Sequence, residues 1–395
     1  MFSLSMETCV NTPKSICMLP WTSMEVTPMG TYRPCCLYSE SIPNISVHNS
    51  NSIYDAQHSD YMKDLRQQFL NGEKPKGCNM CWSEESVPGR MSKRKATFVK
   101  LKDINVDYNE NSVAPIFLDL KLGNICNLKC RICGSWSSSK WAQEEIDIAG
   151  GENELAKQQL LNGQWPRKIT SWWKALEDAL EHIEYLEFTG GEPFLINEHF
   201  DLLEKLVEKG YAHKIDIHYN TNGTIWPARN DLWKYFKRVE IAFSIDDIGN
   251  RFEYQRYGTD WNKTVEVVKT ARLAANEADN LALQICTTFN IQNAYTWPET
   301  EDWIYQQGIR DIHYNILQEP PMFNLRNMPA DIKYIYGQRM RMCHNATKIE
   351  QVIKFMELPG ENMLPILKDR IAANDAYRKQ SFAETHPEVW KLIKI

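Results

Sequence analysis

Between about residue 113 and residue 320, short runs of alternating apolar and polar side chains are separated by longer stretches of helical period. Successive side chains of a strand point to opposite faces, whereas a helix returns to one face every three to four residues. On that rule six strands are predicted: Ile116–Leu122, Tyr185–Thr189, Lys214–Asn220, Val239–Asp246, Leu281–Asn290 and Asp311–Leu317. Helical patterns such as Trp172–Ile183, Glu198–Lys209 and Thr264–Glu277 lie between them. Repeated strand–helix units predict an α/β fold with a parallel sheet, curled into a partial or full barrel.

The alternation also assigns faces. Ile312, Tyr314 and Ile316 oppose His313 and Asn315, and Ile215, Ile217 and Tyr219 oppose Asp216, His218 and Asn220. Ile241, Phe243 and Ile245 oppose Glu240, Ala242, Ser244 and Asp246. Leu283, Ile285 and Phe289 share a face with Thr287, opposite Gln284, Cys286, Thr288 and Asn290. Helices must cover the apolar face, so the polar face lines the interior. A closed eight-stranded barrel fills its centre with branched apolar side chains. A polar lining implies instead an open cavity for polar ligands. Asp216, His218, Gln284, His313 and Asn315 are therefore candidate substrate contacts, with structural hydrogen bonding as the competing role for the two histidines.

The flanks have a different texture. Residues 1–112 are rich in Ser, Asn, Pro and Met and show little periodicity, apart from a short predicted helix at Asp60–Leu70 that Asn71-Gly72 ends. After Pro320-Pro321 come helical segments around Ile332–Arg341 and Lys348–Met356, then a tail. Three regions follow: 1–112, 113–320 and a helical extension over 321–395.

Composition narrows the function classes. The 395 residues are 43% hydrophobic and 24% charged, a globular balance that argues against long disorder. The net charge of −6 gives no general electrostatic pull toward nucleic acid. No apolar run approaches the ~20 residues that span a bilayer. The opening MFSLSMETCV lacks a basic head followed by an apolar stretch. A cytoplasmic protein without a membrane partner is expected.

The eleven cysteines change the picture. An odd count suits a disulfide framework poorly, and close cysteine spacing in a reducing compartment points to metal or redox chemistry. They form an N-terminal group (Cys9, Cys17, Cys35, Cys36, Cys78, Cys81), a trio (Cys126, Cys130, Cys133) and two singles, Cys286 and Cys343. The trio, spaced C-x3-C-x2-C, follows directly on the first predicted strand. Three thiolates this close can hold three corners of a cubane cluster, leaving a fourth iron without a protein ligand. That is the open position a reactive metal site needs. A structural zinc site is the alternative.

This arrangement resembles the radical S-adenosylmethionine superfamily. The resemblance implies a partial (β/α)6 barrel and a 4Fe–4S cluster on Cys126, Cys130 and Cys133. The open iron would chelate the amino and carboxylate groups of S-adenosylmethionine. An electron, delivered by a donor such as flavodoxin or ferredoxin, would then break a C–S bond and yield a hydrogen-abstracting 5′-deoxyadenosyl radical. Further landmarks follow in the family's order. Gly190-Gly191-Glu192-Pro193 resembles the segment that holds the cofactor's amino group, and Asn220-Thr-Asn222-Gly223 resembles a T-N-G turn. Phe243-Ser244-Ile245-Asp246 is similar to a segment whose serine often meets the ribose, although Asp247 stands where the family has glycine. Arg256 occupies the place of an arginine on the cofactor carboxylate, and Thr287-Thr288-Phe-Asn290 fits the fifth strand end. Beside the third cysteine, where an aromatic is usual, Ile132 is expected to pack on adenine. The resemblance covers roughly residues 113–320.

In the N-terminal region, Cys17-x12-Gly30-x4-Cys35 with Cys78-Asn-Met-Cys81 resembles the SPASM or twitch auxiliary-cluster domains, which in familiar relatives follow the barrel. That implies a second 4Fe–4S cluster on Cys17, Cys35, Cys78 and Cys81, with Cys36 as the substitute for Cys35 and zinc as the alternative occupant. Cys9, Cys286 and Cys343 are expected to be ordinary thiols. The expected function is radical catalysis on an unidentified peptide or small molecule: oxidation, epimerisation or cross-linking. The other class is a non-catalytic iron–sulfur or zinc-binding protein, against which the intact Gly190-Gly191-Glu192 segment stands.

Overall fold

The computed structural model describes residues 13–86, 91–109, 111 and 113–394, so Cys9 lies outside the described residues. Ten strands are present among these: β1 (Ser23–Val26), β2 (Tyr32–Arg33), β3 (Phe117–Lys121), β4 (Lys129–Cys130), β5 (Tyr185–Thr189), β6 (Asp216–Thr221), β7 (Arg238–Ser244), β8 (Arg256–Tyr257), β9 (Leu281–Phe289) and β10 (Ile312–Ile316). Eight build one sheet in the order β10-β9-β7-β6-β5-β3-β1-β2. All its pairings are parallel except the β1–β2 hairpin. The result is a mixed α/β fold, and each of the six predicted strands is present. Lys214–Asn220 shifts to Asp216–Thr221 because Ala212–Lys214 turns as a short 3-10 helix.

Helices cross over between the parallel strands. Trp261–Glu277 starts where the Asp260 side chain accepts from the Lys263 N–H at 3.1 Å, and it leads into β9. Glu198–Glu208 buries Phe200, Leu202, Leu203 and Leu206, at the i, i+3, i+4 spacing of a core-facing stripe. Against such helices the sheet buries Leu118, Leu120, Leu186, Phe188, Ile217, Tyr219, Ile241, Phe243 and Ile285. Full burial of side chains of this size stabilises by about 1.5–3 kcal/mol each. On the other face Thr189, Asn220, Ser244 and Thr288 are half-buried, and His313 and Asn315 are exposed.

The N-terminal region enters the sheet itself. β1 lies parallel to β3 from Ser23↔Phe117 to Val26↔Leu120, and Trp21 Nε1 donates to the Asn109 carbonyl at 2.6 Å. All four residues of β1 are buried, and the sequence reading passed over the short polar–apolar alternation of Ser23-Met24-Glu25-Val26. The C-terminal tail is also structured, with helices Leu364–Arg378, Phe382–Thr385 and Pro387–Ile393. Among the described residues no helix is long and apolar enough to cross a membrane.

Candidate active site

The cysteine trio lies in a loop between β3 and the helix Ser139–Ile148. Asn124 anchors its start, donating through Nδ2 to the carbonyls of Ser135 (2.8 Å) and Gln159 (3.0 Å). Two-residue β4 pairs antiparallel with β8, placing Cys130 opposite Arg256. Arg256 Nη2 donates to Asp246 Oδ2 at 2.6 Å, and Nη1 approaches Cys130 Sγ at 4.0 Å. Its buried Nε has no hydrogen-bond partner. Cys126 Sγ faces the Leu128 N–H at 3.4 Å and Asn222 Nδ2 at 3.9 Å. Burial pushes the Cys126 thiol up to about 12, while a Cys130–Cys133 hydrogen bond raises Cys130 and lowers Cys133. Three thiols ringed by N–H donors and a buried guanidinium with an unmet donor suit an anionic thiolate-bound group. Among the described residues, no three His, Cys, Asp or Glu side chains form a ready-made metal-ligand group.

The Gly190-Gly191 turn presses against this loop. Gly190 has φ +113°, and a Cβ on Gly191 would lie 2.2 Å from the Ile125 carbonyl oxygen, so only glycine allows the approach. Glu192 is fully engaged by the neighbouring turns, with Cys126 and Arg256 among its electrostatic neighbours. At 1% exposure its carboxylate accepts from Thr221 Oγ1 (2.8 Å), the Asn222 N–H (2.7 Å) and the Phe194 N–H (3.2 Å). Burial pushes its carboxyl up to about 7. Glu192 thus braces one turn against the next. Asn290 is turned inward, accepting from the Gln292 N–H at 2.9 Å and donating to the Thr288 carbonyl at 3.0 Å. Asp247 ties its own turn together through Arg251 (2.8 Å), Thr296 (2.8 Å) and Gln255 (3.1 Å). Ser244 is half-buried on the inner face, and Ile132 is half-buried against the core.

Sequence reasoning missed a clamp on the loop. Arg131 donates through Nη2 to Asp375 Oδ1 (2.8 Å) and Gln380 Oε1 (2.7 Å). Arg378 donates to Glu144 Oε1 at 3.0 Å and to the Lys129 carbonyl at 2.9 Å. The helix Leu364–Arg378 therefore grips both sides of Cys130.

In the N-terminal region Cys17 has Cys35, Cys78 and Cys81 as electrostatic neighbours, Cys78 has Cys35 and Cys81, and each of the four thiols is raised first by burial. Cys36 points elsewhere. Its Sγ accepts from Lys93 Nζ at 2.8 Å, and its other neighbours are Asp119, Lys121 and Glu187 of the sheet's inner face. Cys286 lies on that face too, in register with His313 and Ser244, and Cys343 is half-buried beside Glu301.

Register sets the depth of the polar residues. Asp216 pairs with Tyr185 and Arg238 at the strand starts and bonds to Lys237 at 3.3 Å. Asn315 pairs with Thr288 near the strand ends, eight residue steps away, roughly 26 Å along the strand direction. The grouping of Asp216 with His313 and Asn315 in one lining is thereby corrected, because alternation gives the face of a residue and not its height. Gln284 is held by Asp311 at 2.9 Å. His218 Nδ1 lies 2.9 Å from Glu240 Oε1.

Between these heights runs a charged row that the sequence reading passed over. Glu25, Asp119, Glu187, His218 and Glu240 are in register across β1, β3, β5, β6 and β7. Glu25 is paired with Arg33 (2.6 Å) and Lys121 (2.6 Å), and Glu187 lies 3.8 Å from Lys93. The same alternation would have found Asp119 and Lys121, which oppose Leu118 and Leu120.

Comparison with known proteins adds two family models: "Radical SAM superfamily" over residues 120–287 and "Iron-sulfur cluster-binding domain" (SPASM) over residues 17–82. No curated protein matches the chain. Solved structures that match include anSMEcpe with bound AdoMet and Cp18Cys peptide, at 17% identity and TM-score 0.36, covering 55% of this chain and 56% of that one. Streptococcus suis SuiB bound to S-adenosylmethionine matches at 14% identity and TM-score 0.36, covering 82% and 67%. TYW1 with a lysine-pyruvate adduct matches at 13% and TM-score 0.31, covering 55% and 69%. The chain thus spans little more than half the length of the first of these.

Proposed function

Because the chain belongs to the radical S-adenosylmethionine superfamily and carries its SPASM segment, we propose that it cleaves S-adenosylmethionine reductively and takes hydrogen from a substrate held in the polar chamber. The fold in this reading is the superfamily's partial (β/α)6 barrel. Cys126, Cys130 and Cys133 hold a 4Fe–4S cluster, which with the cofactor supplies a one-electron C–S cleavage and a 5′-deoxyadenosyl hydrogen acceptor. Arg256 and Asn222 place donors beside the thiolate sulfurs, stabilising their charged form. The Gly190-Gly191 backbone offers polar groups to the cofactor's methionine end, at a distance that Glu192 fixes from behind. The inner wall above the charged row orients the substrate and carries few apolar groups. A one-electron donor such as flavodoxin or ferredoxin serves the cluster. Cys17, Cys35, Cys78 and Cys81 hold a second cluster, and their electrostatic grouping apart from Cys36 supports that set.

The observation that carries this reading is the convergence of three thiols, Arg256 and the glycine turn at the strand ends. Anaerobically reconstituted, reduced protein given S-adenosylmethionine is expected to release 5′-deoxyadenosine and methionine. Cys130→Ala should abolish that release, and full release by the variant refutes the assignment.

A further inference from the structure

We propose that the Asp119 carboxyl, with Lys93 and Thr189 beside it, forms a subsite at the floor of the inner chamber that binds hydroxyl groups of the substrate. This rests on reading the chamber as the substrate site. Asp119 is 1% exposed, and neither carboxylate oxygen has a hydrogen-bond partner. Its neighbours in sequence, Leu118 and Leu120, are fully buried in the core, so its side chain projects to the inner face. The other acids of its row are engaged: Glu25 by Arg33 and Lys121, Glu240 by His218 and Arg238, and Glu187 by Lys93. Natural proteins rarely leave a buried acceptor unmet. Here it lies on the polar inner face of the sheet, three residue steps or roughly 10 Å below the Gly190 turn.

The missing partner must donate a hydrogen bond. An ammonium group would do so too, but Lys93 and Lys121 already stand beside Glu187 and Glu25 around Asp119, so cations are supplied by the protein itself. A hydroxyl donates to Asp119 and accepts from a lysine, matching both signs at once. Thr189 adds a second unmet group: its buried Oγ1 has no partner, and its strand position is two residues nearer the mouth than Glu187. Unmet groups on successive rows suit a ligand with more than one hydroxyl. A free polyol and a seryl side chain of a peptide share that chemistry.

Equilibrium dialysis of the reconstituted protein with S-adenosylmethionine distinguishes them, using D-glucose, D-glucosamine and N-acetylserinamide as probes. Glucose, serinamide or both should be retained, with glucosamine bound less well than glucose. Asp119→Ala should weaken retention tenfold or more, and Asp119→Asn, which keeps an acceptor oxygen, should weaken it less. Asp119→Asn should also unfold at or above the wild-type temperature, since no native partner is lost. Glucose retained alone assigns a free polyol, and serinamide alone assigns a peptide hydroxyl. No retention by wild type, preference for glucosamine, unchanged retention in Asp119→Ala, or early unfolding of Asp119→Asn each overturns the subsite. Cofactor cleavage by the wild type, measured separately, decides the superfamily chemistry whatever the dialysis shows.

Discussion

Asp119 has one environment and two protonation states that it treats unequally. Burial, then the charge of Glu187, pushes its carboxyl up to about 7, against the opposing pull of Lys121 and Lys93. A carboxyl raised on folding holds its proton longer in the native chain than in the unfolded one. Its linkage therefore lowers stability as pH rises from about 4 to about 7 and is flat outside that window. Asp119→Asn should remove that slope, which paired thermal melts of both proteins across the window will read. Ile217, at 1% exposure on the opposite face, makes a contrasting prediction. Ile217→Ala should cost ~2–5 kcal/mol through the cavity it leaves, whereas exposed His313→Ala should stay within ~0.5 kcal/mol, measured by urea unfolding. Which of these residues face inward was legible from period-two alternation alone. Their height was not, because sequence carries no register, and so Asp216 was grouped with residues at the other end of the sheet. Cys36 was indistinguishable from Cys35 for a related reason: adjacent residues diverge in direction, and only the fold decides which direction meets Cys17.

The cysteine loop is an element with almost no regular structure of its own, two residues of β4 excepted, and it is held from outside. Glu144 and Arg378 form an ion pair with both side chains fully buried, and Lys129 adds a second cation to Glu144. Removing one member of a buried pair typically costs about 3–5 kcal/mol, reduced here by the Lys129 contact. Arg378→Met should therefore destabilise the protein by a few kcal/mol on that scale and lower the iron retained by the trio. Both are checked by unfolding and by metal analysis after gel filtration. The six longer strands between Phe117 and Ile316 were readable because polar and apolar residues alternate along them, whereas two-residue β4 and β8 are too short to show a period. The clamp was not, since Asp375, Arg378 and Gln380 look like the solvated face of any surface helix until the loop is seen beneath them. β1 escaped because its alternation, Ser23-Met24-Glu25-Val26, runs for only four residues in a region of little other periodicity.

At the scale of the whole molecule, the two cysteine groups share one frame. Two cubane clusters amount to about eight irons per chain. Reconstituted protein is expected to hold that number, and a Cys17→Ala/Cys78→Ala variant about half of it, read by iron and sulfide analysis. Stoichiometric zinc in place of the second half refutes the N-terminal assignment. The shared frame also fixes an order of events. β1 pairs with β3, so Val26 waits for Leu120 some ninety residues later in the chain. At a synthesis rate of ~5–20 residues per second, that is roughly 5–20 s during which the first strand has only its hairpin partner β2. Cys17 and Cys35, which flank β1, thus leave the ribosome well before the strand that completes the sheet beside them. Whatever machinery loads iron there must either guard those thiols through the interval or arrive after the sheet has closed.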